Sequence, residues 1–211
     1  VLPMPSSTTV PLSPTTSVPA SQTAVTGSVI FGAGGDIGAN YRSDASLRAI
    51  PTSGAQFFLA LGDADYDETS SDQAWCDYVR ARVGANFPFQ LVTGNHEEGS
   101  STSPGPDGYI ENMTACLPDR LGVQPLIPGR PGYAANYYFD YPQSNPIMRV
   151  IMISPDLLYA GVDYQFNRTE QTNYNALAAA IDSAKQSGRW VVVGMHKNCI
   201  TAGTKSCEIG V

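Results

Sequence analysis

At 211 residues with 42% apolar side chains, the chain has the length and composition of one sizeable globular domain. Its 19 Asp and Glu against 12 Lys and Arg leave a formal charge of −7, which argues against a general electrostatic grip on nucleic acid or anionic membrane, though not against a local, metal-mediated hold on phosphate. No apolar run approaches the roughly 20 residues that a membrane-spanning helix needs.

Residues 1–27 are rich in Ser, Thr, Pro and Val and carry no charge, the composition of a disordered linker or an O-glycosylated stalk; a folded domain is expected over 28–211. From there strand and helix patterns alternate. Ser28 to Ala33 reads as a strand, Ser43 to Ile50 as a helix and Gln56 to Leu61 as a second strand, together a β-α-β unit. Ser71 and Asp72 cap a helix running through Trp75, Tyr78, Val79 and Val83, and Phe87 to Val92 forms a third strand. Beyond a Gly/Ser/Pro-rich loop from Gly99 to Gly108 come a short helix near Glu111 to Cys116 and strands around Ala134 to Tyr141 and Met148 to Ser154. A long helix from about Thr169 to Ser187 leads into the apolar run Trp190 to Met195. Such alternation favours an α/β fold with right-handed crossovers, whose ligands collect at the carboxyl ends of the strands.

The four cysteines allow three pairings and form no Cys-x-x-Cys metal motif. Cys199 and Cys207 are close enough for a turn to bridge, which leaves Cys76 for Cys116; four buried free thiols are the alternative. Disulfides and a stalk-like start favour export. Asn112-Met113-Thr114 and Asn167-Arg168-Thr169 are glycosylation acceptor triplets, meaningful only in a host that glycosylates. With no initiator Met or signal peptide, and an end at Val211 soon after the last apolar run, the chain reads as a piece of a longer protein.

Four of the apolar runs end in metal-ligand types: Gly35-Asp36-Ile37-Gly38, Gly62-Asp63-Ala64-Asp65-Tyr66, Gly94-Asn95-His96-Glu97 and Val193-Gly194-Met195-His196. Carboxylate, amide, phenol and imidazole groups from separate strand ends suit a hard or borderline metal ion. Rival readings of the same residues fare poorly. A dinucleotide-binding turn at Gly32 to Gly38 needs its third glycine where Ile37 stands, and offers no acid near Gln56 for a ribose. A calcium loop starting at Asp63 needs Gly and Glu where Glu68 and Ala74 stand. Asp65, Asp67 and Glu68 then read as a solvated acidic turn. Both histidines of the chain, His96 and His196, fall inside the clusters.

In this order and spacing the clusters resemble the calcineurin-like metallophosphoesterase superfamily, and within it the purple acid phosphatases. That pattern runs Gly-Asp-x-Gly, Gly-Asp-x-x-Tyr, Gly-Asn-His-Asp/Glu, Val-x-x-His and Gly-His-x-His; the first four occur between residues 28 and 198, and the fifth is absent from the sequence. The resemblance implies an αββα sandwich with mixed sheets, incomplete at the C-terminus, and a dinuclear centre of Fe(III) with a divalent Fe, Zn or Mn ion. It implies Asp36 and Tyr66 on the first metal, Asp63 bridging both, and Asn95 and His196 on the second. His96 then contacts the phosphoryl oxygen or protonates the leaving group, with Glu97 beside it as the second catalytic residue. The last motif would supply one further histidine to each metal, and is expected beyond Val211.

These residue types suit phosphate-ester hydrolysis, which is among the slowest reactions in water and needs a strong nucleophile and neutralised phosphoryl charge. A metal pair roughly 3.5 to 4 Å apart supplies both. The neutral Asn95 limits negative charge facing an anionic substrate, and His96 can donate a proton. The expectation is a secreted or wall-associated phosphoesterase, with monoesters as the expected substrates, taking a small phosphorylated molecule through attack of metal-bound hydroxide, with no nucleic-acid surface. The alternative is a secreted or wall-associated binding domain that keeps this fold without turnover.

Overall fold

The computed structural model describes residues 27–66, 68–97, 109–155, 157–159, 161–164, 166 and 171–197. The expected linker over 1–27 therefore lies almost wholly outside the described residues, as do Cys199, Cys207 and the triplet at Asn167.

The first β-α-β unit forms as the sequence predicts. Strand β1 (Phe31–Gly34) leads to helix α1 (Tyr41–Ala49), and β2 (Phe57–Leu61) follows after a short 3-10 turn (Ile50–Thr52). The helix starts where Asn40 accepts the amides of Arg42 and Ser43 while the Ser43 hydroxyl accepts the Asn40 amide, a reciprocal cap on groups that a helix start leaves unpaired. Helix α2 (Asp72–Val83) begins at its expected cap, Ser71, and ends at Gly84 with a φ of 100° that glycine adopts freely. Strand β3 (Phe89–Val92) then pairs parallel to β2, which pairs parallel to β1.

The second half of the described chain holds α3 (Tyr109–Cys116), β4 (Gln124–Pro125), β5 (Tyr137–Tyr141), β6 (Met148–Ile153), the ribbon β7 (Leu158–Tyr159) and β8 (Val162–Asp163), α4 (Gln171–Gln186) and β9 (Trp190–Met195). Its sheet, ordered β4-β5-β6-β9, departs from the parallel crossovers that the alternation suggests: β4–β5 and β5–β6 run antiparallel and only β6–β9 is parallel. The reason is chain length, because residues 142–147 suffice for a reversal but not for a crossover. Helix α4 is long enough to carry the chain back for the parallel β9.

Strand alternation sorts the apolar residues into layers. Phe57 and Leu59 of β2 meet Tyr137, Phe139, Met148, Val150 and Met152 between the two sheets, with Phe57 edge-on to Phe139 and Tyr141. Ala60, Phe89 and Leu91 face the other way, onto Leu47 of α1, Trp75 and Val79 of α2, and Met113 of α3. Ile151 and Ile153 pack under Ala180 of α4. Helices therefore cover the outer face of each sheet. At one side the sheets join, since the Thr93 amide and hydroxyl both donate to the Ala134 carbonyl beyond a parallel bridge between Val92 and Ala134. Among the described residues no helix is long and apolar enough to cross a membrane.

Cys76 and Cys116 form the expected disulfide between α2 and α3, with Cα atoms 6.0 Å apart. It closes a loop with a sequence separation of 40, for which chain entropy gives a contribution of about 2–4 kcal/mol. Replacing both cysteines by alanine is expected to lower the unfolding free energy by about that amount in urea titration, whereas a loss below about 1 kcal/mol would mean that the bridge adds little to the helix packing.

Candidate metal centre

The site forms just past the ends of β1 and β2, where the two following loops pair with each other. The amides of Asp36, Ile37 and Gly38 donate to the carbonyls of Gly62, Asp63 and Ala64 at 3.0, 3.1 and 2.9 Å, so two loops continue the register of β1 and β2 beyond the sheet. Asp36 and Asp63 both take left-handed backbone, with φ of 55° and 52°. Asp tolerates this region better than most side chains, at about 1–3 kcal/mol each, and the turn brings each carboxylate over the strand ends. Glu68 helps to hold the first loop by accepting the Ala39 amide, and the Gly38 carbonyl accepts the indole N–H of Trp75.

There, one ligand atom each from Asp36, Asp63 and His196 lie within 4.8 Å of one another. Asp36 is exposed, Asp63 is buried and His196 lies between. Tyr66 completes the group: its hydroxyl donates to Asp36 Oδ1 at 2.5 Å and lies 3.1 Å from Asp63 Oδ2. One phenolic hydrogen thus serves two carboxylates. Burial, then the hydrogen bond to Asp36 and the charges of Asp63 and Asp36, push the Tyr66 hydroxyl far above its ordinary value, so in the absence of a cation it keeps its proton.

His196 arrives from β9 in the other sheet, and its Nδ1 lies 2.8 Å from the Leu61 carbonyl. A carbonyl can only accept, so Nδ1 carries the hydrogen and Nε2 faces Asp63 Oδ2, 3.1 Å away. A lone pair against a carboxylate oxygen is favourable only with a cation between them, a proton or a metal ion. Among the described residues the two histidines are the only potentially cationic side chains paired with Asp63, His96 being more distant at 3.9 Å. Two carboxylates, an imidazole and a phenol match the donor set of a hard or borderline metal ion, and on this ground the residues fit one.

The loop after β3 separates its residues by direction. Asn95 and His96 are exposed, while Glu97 is buried. The His96 ring packs against Tyr66 with centroids 4.6 Å apart and the rings tilted by 60°, and its side chain is half exposed, on the open side of the cluster. Asn95 sits at the same end, but among the described residues no hydrogen bond ties its side chain to Asp36, Asp63 or His196. Glu97, paired with His96 as catalytic in the sequence reading, faces inward and is only 3% exposed. Its carboxylate accepts the amides of Asp63, Ala64 and Gly94, and is not placed to meet a substrate. Burial raises the Glu97 carboxyl above the usual range, with the three amides acting against that shift. Asp65 also turns inward, accepting the Glu68 amide and the Thr69 hydroxyl, so the acidic turn is not wholly solvated.

Close approach of these loops requires glycine. Gly62 has a φ of 84°, and a Cβ there would fall 2.5 Å from the Gly94 nitrogen and 2.8 Å from His196 Cβ. Gly62→Ala is therefore expected to cost about 2 kcal/mol or more in urea unfolding and to separate the loops that carry Asp63 and His196; wild-type stability would contradict this packing. No protein-family profile matches this chain, and no curated protein matches it.

Proposed function

We propose that this protein is a secreted, metal-dependent phosphoesterase of the purple-acid-phosphatase type, acting on small phosphate monoesters. The observation that carries this reading is the convergence of Asp36, Asp63 and His196 within 4.8 Å, with the Tyr66 hydroxyl on both carboxylates. The layering supports it, since helices outside two face-to-face sheets agree with an αββα metallophosphoesterase sandwich. The Cys76–Cys116 disulfide supports export.

In this reading Asp36, Asp63, Tyr66, Asn95 and His196 would hold the metals, Fe(III) and a divalent ion, with Asp36 and Tyr66 serving the first, Asn95 and His196 the second, and Asp63 shared. When bound, the metals supply Lewis-acid activation of water and positive charge against the phosphoryl oxygens. The protein's own groups do the rest. Asp63 fixes the placement of the cluster, the Leu61 carbonyl keeps the His196 Nε2 lone pair aimed at it, and the exposed His96 imidazole delivers a proton to the departing alkoxide.

An arylphosphate assay on protein loaded with iron and zinc or manganese tests the reaction. Turnover is expected, with Asp63→Asn lowering kcat/KM by about 100-fold or more, and equal rates in the two proteins would refute the assignment. A visible absorption band from phenolate on ferric iron is expected as well, and should vanish in Tyr66→Phe. Iron-loaded protein without that band would remove Tyr66 from the ligand set.

A further inference from the structure

We infer that Glu97 is a positioning residue: its buried carboxylate locks the turn after β2 to the turn after β3 and so sets the direction of the Asp63 carboxylate, an assignment that rests on the metal-centre reading above. Glu97 Oε2 accepts the Asp63 amide at 2.9 Å and the Gly94 amide at 2.7 Å, and Oε1 accepts the Ala64 amide at 2.7 Å. No ion pair reaches this carboxylate among the described residues, so the amides are its only polar partners there. Successive amides pointing into one space at Asp63 and Ala64, after left-handed Gly62 and Asp63, make the concave backbone receptor that accepts an anion. Glu97 fills that receptor from within the chain.

The arrangement is reciprocal. Asp63 Oδ1 accepts the His96 amide at 3.0 Å, so each turn's carboxylate accepts amides of the other. With Oδ1 engaged in this way, Oδ2 is the oxygen turned to His196 Nε2 and the Tyr66 hydroxyl. The close contact also explains Gly94, where an added Cβ would run into the Asp63 carboxylate and backbone. A glutamine at position 97 keeps the shape but sets an amide N–H₂ against a backbone N–H donor, which breaks part of the lock without emptying the space.

Amide hydrogen exchange on the full 15N-labelled chain, together with Mn²⁺ titration calorimetry, tests the assignment. In the wild type the amides of Asp63, Ala64 and Gly94 should exchange as slowly as those of β2, although none lies within a strand. In Glu97→Gln their protection should fall about 100-fold while that of α4 is retained, and Mn²⁺ affinity should fall about tenfold or more. Glu111→Gln removes the same charge from an exposed position and should change neither reading. Glu97→Asp keeps the charge on a shorter arm and should lie between, which also covers the case in which the glutamine variant does not fold. Fast exchange of the three amides in the wild type, or a folded Glu97→Gln protein with unchanged protection and Mn²⁺ affinity, would overturn the assignment. A wild type that takes up no Mn²⁺ but protects the three amides would leave the lock standing and remove the metal-centre reading.

Discussion

Three backbone hydrogen bonds, from the amides of residues 36–38 to the carbonyls of residues 62–64, carry the order of the first sheet into the loops above it. Without them Asp36 and Asp63 would sit on independent connections with separate motions. With them the two loops are tied residue by residue to one another, and the separation of their carboxylates is set by that pairing. Every other contact of the centre is built on that pairing. Tyr66 reaches from the second loop to the first, and Glu97 ties the second loop to the turn beyond β3.

The centre is costly for the fold to maintain. Two Asp residues hold left-handed backbone, a glutamate is buried with no cationic partner among the described residues, and one phenol is shared by two carboxylates. Such local expense needs a rigid support, and the layers supply it. Phe57 and Leu59 are fully enclosed between the sheets, Trp75 and Val79 under the first, and the Arg149 guanidinium is held by both oxygens of Asp140 over the Tyr138 ring in the second. The contrast is physical: apolar packing is non-directional and tolerant, whereas the strand-end loops depend on directed amide contacts.

Much of this was legible in the sequence because the signals are local. The short apolar run from Gln56 to Leu61, the capping serine at 71 and the helical spacing through Trp75, Val79 and Val83 each follow from nearby residues, and the structure matches them closely. Pairing direction in the second sheet was less legible, since alternating aromatics such as Tyr137 and Phe139 suit parallel and antiparallel neighbours alike. The two-residue strands β4, β7 and β8 are too short to show a period at all. At the centre, residue type marked Asp36, Asp63, Tyr66 and His196 as metal-ligand chemistry, and the structure brings these four together. The inward direction of Glu97 and the Leu61 carbonyl behind His196 had no signal in the residue string, because both depend on backbone amides and carbonyls that every residue carries.

His196 follows the last strand of one sheet, while the carbonyl that orients it ends β2 of the other and the carboxylate that it faces lies in the loop just beyond. Whatever cation occupies the gap between Nε2 and Asp63 therefore spans the seam between the two halves of the fold. Thermodynamic linkage then makes occupancy and sheet docking a single equilibrium: a species bound only by the docked form raises its population by mass action, and slippage at the seam weakens binding by the same factor. A cation held there would thus be coupled to the hydrophobic layer of Phe57, Phe139 and Met152 that docks the two sheets.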